Sequence, residues 1–295
     1  MVLDDKLASC MKCGFCQAFC PVFDTTGKEG DVTRGKIALV ENLAHLIIQV
    51  PEAVNEKLSR CLLCGGCQFS CPSGVPTLEI FMEARAIVTA YLGLSPVKKA
   101  IFRKLLPNPR VVDTLLRAGS PFQKLLLKDE QNPQKTACAP LLKSLFGDRH
   151  MPLLADKPLR SKVGKVDRPA GKSGLRVAFF PGCMGDKIYT GVSEACLKVF
   201  EHHGVGVFLS DNFACCGIPA LVSGDREGVE KMIEHNLGIL SRTHFDYIVT
   251  PCSSCTMTIK EYWPEMSRNL PASVQETAKK FGAKAIDVNA FLVDV

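Results

Sequence analysis

Eight cysteines form two copies of one run, Cys10-x2-Cys13-x2-Cys16-x3-Cys20-Pro21 and Cys61-x2-Cys64-x2-Cys67-x3-Cys71-Pro72. Three cysteines spaced in this way wrap a loop around three corners of a four-iron, four-sulfide cube. A proline turn carries the fourth cysteine away to the other cluster. The expected ligand sets are therefore crossed: Cys10, Cys13, Cys16 and Cys71 for one cluster, Cys61, Cys64, Cys67 and Cys20 for the other. Gly14, Gly65 and Gly66 let the backbone pass close to an inorganic core. Zinc would need four tetrahedral ligands and would leave the third cysteine of each run spare. Arg34 and Lys36, between the two runs, are candidates for offsetting cluster charge, with a plain surface position as the alternative.

Five further cysteines follow in a different rhythm: Pro181-Gly182-Cys183, Cys215-Cys216-Gly217 and Pro251-Cys252-Ser253-Ser254-Cys255. Cys183 and Cys252 fall just past the ends of expected parallel strands, where open α/β sheets bind ligands. Helices starting after them would favour thiolates. Five sulfurs suit an iron–sulfur site; zinc on four of them, or a redox disulfide at Cys215 and Cys216, stays open. Cys196 shares a helix face with Val192, Val199 and Phe200 and reads as a small buried hydrophobe. Cys138 has no partner motif, and the six histidines, His202 and His203 among them, form no ligand pattern.

The elements that must position these groups divide the chain in three. Residues 1–95 read as helical: Asp31 is placed to cap a helix carrying Ile37, Val40, Ala44 and Ile47, and a second helix runs from about Pro76 to Leu92, stopped by Gly93. Residues 96–172 read as a proline-rich helical connector with no core of its own. Its basic pieces (Lys98, Lys99, Arg103, Lys104, then Arg110, Arg117 and Lys124) suit a membrane surface or an acidic partner less well than the solvated face of a packed helix. Residues 173–295 alternate strand and helix: strands at 175–180, 205–210 and 245–250, helices at about 187–203 and 225–242. That alternation implies an α/β domain with a short parallel sheet, making the whole an α+β multidomain protein.

Composition narrows the class further. The chain has 295 residues, 15 of them cysteine, is 46% hydrophobic and 22% charged, and carries a formal charge of +6. No apolar run approaches the ~20 residues of a membrane span, and the start lacks a secretory pattern. A cytoplasmic protein is expected, either free or peripheral on the membrane face. Clustered cysteines without a secretion signal point to metal rather than disulfides. Each cubane with its four thiolates carries about −2, which offsets the basic charge, so nucleic acid is not an expected partner. No Walker loop, dinucleotide fingerprint or Ser–His–Asp set is present, so an organic cofactor is expected on another chain.

The doubled Cys-x2-Cys-x2-Cys-x3-Cys-Pro run followed by Cys…Cys-Cys-Gly…Pro-Cys-x2-Cys resembles the iron–sulfur subunits of glycolate oxidase and of lactate utilisation. It is also similar to the corresponding iron–sulfur subunit of anaerobic glycerol-3-phosphate dehydrogenase. The cysteine-rich domain resembles the B-type catalytic subunit of heterodisulfide reductase. The stretch Cys71-Pro72-Ser73-Gly74-Val75 is closest to the glycolate oxidase branch. The resemblance implies an electron-transfer subunit that passes electrons from an FAD-containing glycolate or lactate dehydrogenase subunit to a quinone or other carrier. It also implies a third, noncubane cluster on Cys183, Cys215, Cys216, Cys252 and Cys255. Relatives usually carry two cysteine-rich copies and this sequence has one, so either another chain supplies the second or this is a truncated form. The alternative is a subunit that reduces a disulfide at the noncubane cluster.

Overall fold

The computed structural model describes residues 3–116 and 153–295, and the backbone alone of 128–129, 136–138 and 151–152. Two compact units emerge: Met1–Lys99 with Pro219–Gly228, and Ala100–Ile218 with Val229–Val295.

Among the described residues, the regular elements of the first unit are all helices. Its core is built by Leu7, Ile37, Val40, Val54, Leu58, Val75, Ile80, Phe81, Ala84 and Val88. All but Val75 come from four helices, Leu3–Ala8, Thr33–Ala44, Pro51–Ser59 and Thr77–Leu92. The three- and four-residue steps in each helix put the apolar side chains on one face. Burying each such side chain is worth about 1.5–3 kcal/mol. Proline at the first helical position starts Pro51–Ser59, and Gly93, at φ +79°, ends Thr77–Leu92. The long helix matches the expected span. The earlier one is shorter than expected, because it stops at Ala44 and leaves Ile47 exposed. Asp31 does not cap it. The residue before the helix is Val32, and Asp31 closes a 3-10 turn with its carboxylate fully buried against Lys57 (3.1 Å) and Arg60 (3.5 Å). Gly35 shows how close that turn sits, since a Cβ there would strike the Glu29 carbonyl oxygen.

The second unit carries a five-stranded sheet. Numbered along the chain, the strands are β1 (Lys128–Asp129), β2 (Thr136–Cys138), β3 (Met151–Pro152), β4 (Val166–Arg168), β5 (Arg176–Phe179), β6 (Gly206–Leu209), β7 (Tyr247–Thr250) and β8 (Ala285–Asp287). The first three form a small antiparallel ladder, and the large sheet has the order β4-β6-β5-β7-β8. Four of its strands are parallel, as expected, and β4 pairs antiparallel to β6, so the sheet is mixed. β4 escapes an apolar-pattern reading because its Asp167 and Arg168 are charged; they pair with Arg176 (2.5 Å) and Glu201 (3.3 Å). Val177, Ala178 and Phe179 in central β5, and Phe180 after it, are fully buried, as a parallel strand covered on both faces requires.

Helices run between the parallel strands. The helix expected at 187–203 is Thr190–His202, and a separate short helix, Gly182–Lys187, precedes it. The break follows from Lys187, whose carbonyl accepts from the Ala155 amide and whose ammonium is drawn into a buried ion network. Arg226–Leu240 crosses from β6 to β7. A helix over 253–266, with a π-turn at Thr258–Tyr262, follows β7. The last helix, Val288–Asp294, is capped by the Asp287 carboxylate, which accepts from the Asn289 amide at 2.9 Å. No single described helix is long and apolar enough to cross a membrane.

Candidate functional site: two cysteine loops and a five-sulfur cluster

The two cysteine runs of the first unit fold alike. Cys10 and Cys61 each donate an amide to the residue three before them, Leu7 and Leu58. Gln17 and Gln68 donate to Gly14 and Gly65, and Cys20 and Cys71 donate to Gln17 and Gln68. The left-handed positions also coincide: Gly14 (φ 86°) with Gly65 (φ 77°), and Lys12 (φ 55°) with Leu63 (φ 53°). A side-chain-bearing residue in that region costs about 1–2 kcal/mol. Both loops retain this cost at the same step, which turns each loop inward between its first and second cysteines. The 3-10 turn Phe15–Phe19 packs on the helical turn Gly66–Phe69, bringing the two runs together.

Cys20, Cys61, Cys64 and Cys67 line one hollow, together with Lys36, Thr33, Gly65, Leu78 and Phe81. Three cysteines of the second run thus meet the fourth of the first. Cys10 and Cys71 both pack against the unit's core. Cys16 is pushed up by burial and by the neighbouring sulfurs of Cys67 and Cys10, against the Arg34 amide, which favours its thiolate. Cys13 and Cys64 are the exposed members of their runs. All donors are thiols, and backbone amides favour the thiolates of Cys16 and Cys61. A polynuclear iron–sulfur group fits this donor set.

The basic residues separate. Lys36 is 1% exposed, lines the Cys20/Cys61/Cys64/Cys67 hollow and donates its ammonium to the Asp31 carbonyl. Arg34 lies at the first run: it donates to the Lys12 carbonyl (3.4 Å), packs on Gly14 and pairs with the exposed Glu29 (2.5 Å). Arg85, which sequence reasoning missed, is 5% exposed and donates to the carbonyls of Leu58, Cys61 and Val222. Its signal was an arginine on the inward face of an otherwise apolar helix.

In the second unit all five cysteines meet. Cys215 and Cys216 follow β6, Cys183 follows β5, and Cys252 and Cys255 follow β7, and these three strands are neighbours in the order β6-β5-β7. The chain leaves β5 toward β6 and leaves β7 toward β8, so the connections diverge where Cys183 and Cys252 lie. This is the switch point at which open α/β sheets hold their ligands. Cys255 donates to Cys216 at 3.5 Å, and sulfur hydrogen bonds continue from Cys183 to Cys215, from Cys215 to Cys216 and from Cys255 to Cys252. A Cβ on Gly182 would meet the Cys255 sulfur at 2.7 Å.

The five thiols are not equivalent. Cys252 is held down to about 6 by the Cys255 thiol and, against partial burial, by the amides of Cys255 and Ser254. Cys216 is held low by donation from Cys215 and Cys255. Cys183 is pushed up by donating to Cys215, and Cys255 by donating to Cys216 and Cys252. Cys215 accepts from Cys183, but its own donation to Cys216 and burial push it up overall. Along this row of close sulfurs the thiolate is thus favoured at Cys216 and Cys252 and disfavoured at Cys183, Cys215 and Cys255.

Three residues that sequence reasoning missed hold this row. Asn236, fully buried, accepts from the Ala214 amide (2.9 Å) and donates to the Cys215 carbonyl (3.0 Å). Trp263, also fully buried, donates its indole N–H to the Cys216 carbonyl (2.8 Å). The Thr250 hydroxyl donates to the Cys252 carbonyl (2.8 Å). The signals were a buried-face asparagine in an amphipathic helix and the only tryptophan.

Beside the row lies a cavity lined by Cys183, Cys215, Arg160, Asp186, Lys187, Phe213 and their neighbours. Asp186 pairs with Arg160 (2.7 Å) and Lys187 (2.8 Å), and Asp113 pairs with Arg160 (3.4 Å) and Lys187. Burial lowers Lys187 to about 8. Cys196 is buried, as expected, and its thiol is pushed up by that burial. The side chain of Cys138 lies outside the described residues, as do Arg117 and Lys124.

Comparison with known proteins locates both sites within described domains. A 4Fe-4S dicluster domain matches residues 6–75, and a cysteine-rich domain matches residues 177–260. The chain is 28% identical to the probable glycolate oxidase iron-sulfur subunit of Bacillus subtilis, aligning 99% of this chain with 68% of that protein. It is 26% identical to the glycolate oxidase iron-sulfur subunit of Escherichia coli, over 97% of this chain and 65% of that one. Lactate utilization protein A of an Exiguobacterium strain is 32% identical over 40% of this chain and 48% of its own length. The chain thus spans about two thirds of the first two relatives and less of the third. No solved structure matches.

Proposed function

We propose that this chain, with its 4Fe-4S dicluster domain and cysteine-rich domain, is the electron-transfer subunit of an oxidoreductase complex. In this reading it accepts electrons from an FAD-containing subunit that oxidises glycolate or lactate and delivers them to a quinone or another carrier. Cys10, Cys13, Cys16 and Cys71 hold one [4Fe-4S] cluster and Cys61, Cys64, Cys67 and Cys20 the other. Cys183, Cys215, Cys216, Cys252 and Cys255 hold a third iron–sulfur centre. Bound clusters supply one-electron chemistry. The chain's residues hold the thiolates, bury the centres and set the charge around them.

The observation that carries this reading is the meeting of five sulfurs at the ends of three adjacent parallel strands, in a chain that also carries two cysteine loops of matching backbone path. The test is anaerobic purification with metal analysis. Three centres require about twelve irons per chain and the ferredoxin pair alone about eight. Cys252→Ser is expected to remove the third centre and leave the other eight irons. Zinc near one per chain beside eight irons, or a Cys252→Ser protein with unchanged spectra, refutes the third centre.

The cavity against Cys183 and Cys215 favours one second reading, reduction of a small disulfide at the five-sulfur centre. Turnover of a thiol-coenzyme disulfide by the isolated complex, without any 2-hydroxy acid, would replace the first reading with this one.

A further inference from the structure

The two cysteine loops share a backbone path but differ in the charges around them. At the first run, Arg34 is paired with Glu29 (2.5 Å) and Lys12 with Glu41 (2.7 Å), and both pairs reach solvent. Each cation there has its carboxylate, and water screens what remains.

At the second run the cations are buried and bonded to neutral groups. Lys36 lines the hollow with Cys20, Cys61, Cys64 and Cys67, and its ammonium donates to a backbone carbonyl, that of Asp31. The Asp31 carboxylate is engaged elsewhere, by Lys57 and Arg60, and Arg60 also pairs with Glu56. Arg85 donates to the carbonyls of Leu58, Cys61 (2.7 Å) and Val222, so the acceptors of its three bonds are also neutral. Lys57 and Arg60 are balanced by Asp31 and Glu56, which leaves Lys36 and Arg85 as two buried positive charges without bonded carboxylates. Burial weakens both cations, and the Cys61 sulfur acts on each in the opposite sense. A buried charge acts through a low effective dielectric and is felt far more strongly than an exposed one.

We propose that Lys36 and Arg85 make the Cys20/Cys61/Cys64/Cys67 cluster the more readily reduced of the pair, so that electrons within this domain run from the Cys10/Cys13/Cys16/Cys71 cluster toward it. The proposal rests on the two-cluster reading given above. Adding an electron raises the negative charge of a cluster, and nearby buried cations with no directly bonded carboxylate stabilise that state. The step balances without any co-reactant: one cluster is oxidised by one electron, the other is reduced by one, and no proton is exchanged.

The test is an anaerobic potentiometric titration of the iron-loaded full-length chain, followed by low-temperature EPR, on wild type and variants. The two clusters of this domain in wild type are expected to show midpoints at least tenfold apart in reduced-to-oxidised ratio, about 59 mV for a one-electron couple. Cys64→Ser should alter the signal of the higher-potential cluster and Cys13→Ser that of the lower. Lys36→Met, of similar volume but without charge, should lower the higher midpoint by about tenfold and leave the other in place. Lys36→Arg should restore it, and Arg34→Gln should move neither appreciably. The proposal is overturned by wild-type midpoints closer than tenfold, by Cys64→Ser altering the lower-potential signal, or by Lys36→Met leaving both midpoints unchanged. The wild-type and cysteine arms decide the matter even if Lys36→Met does not load. Fewer than about eight irons in wild type would instead remove the two-cluster reading itself.

Discussion

Asn236→Ala is expected to loosen the Cys215–Cys216 loop at a calculable cost. The Asn236 amide satisfies two backbone groups, accepting from Ala214 N–H and donating to the Cys215 carbonyl, and all three residues are buried. Alanine reaches neither group. Leaving a buried donor or acceptor unpaired costs about 1–3 kcal/mol, so two such groups cost about 2–6 kcal/mol. That is a large share of the ~5–15 kcal/mol that holds a typical domain folded. In a unit of this size each kcal/mol moves Tm by about 2–4 °C, so a fall of at least about 4 °C is expected. Urea unfolding followed by far-UV circular dichroism reads the loss as a lower midpoint at unchanged slope. Iron retention read alongside should fall at the five-sulfur site first, because the pinned carbonyl belongs to one of its cysteines. A midpoint shift under about 0.5 kcal/mol, the range of unremarkable surface changes, would refute the role given to Asn236.

Three other substitutions follow from the same packing. Trp263→Phe keeps an aromatic ring near Phe180 but removes the indole donor to the Cys216 carbonyl, so urea unfolding should show a loss of about 1–3 kcal/mol. Gly35→Ala should destabilise the first unit in thermal melts, although the same change in an open helix gains about 0.5–1 kcal/mol, because its Cβ would strike the Glu29 carbonyl. Burial alone would raise the Asp31 carboxyl, but Lys57 and Arg60 outweigh it and hold the group below its ordinary value. Its contribution is therefore complete at neutral pH and is lost as pH falls below about 4, through the folded-state value. Asp31→Asn should cost about 1–3 kcal/mol at pH 7, and melts taken at stepped pH should show the gap to wild type closing on acidification.

The residues that could do chemistry were legible at once because their signal is local. A loop that wraps a cube does so within one short run of residues, and the turn at proline is written beside it. The continuous apolar run of β5 and the break at Gly93 are likewise short-range. What was read wrongly or missed depends on partners far along the chain. Asp31 has the residue type and position of a helix cap, yet Lys57 and Arg60 recruit its carboxylate inward. β4 and β8 are three residues each, too short to carry a pattern, and exist because β6 and β7 offer them edges.

The sequence by itself determined the cysteine runs, their division into eight sulfurs and five, and the alternation that places the five at strand ends. Only the tertiary structure decided which strands are neighbours, and so that five sulfurs from three separated segments meet in one row. It also decided which basic residue is buried. Arg34 and Lys36 are two residues apart on one helix, about 200° around its axis, so one faces water and Glu29 while the other faces the hollow of the second cysteine run. Spacing along a chain is a local property; whether a charge meets water or a sulfur depends on what packs over it.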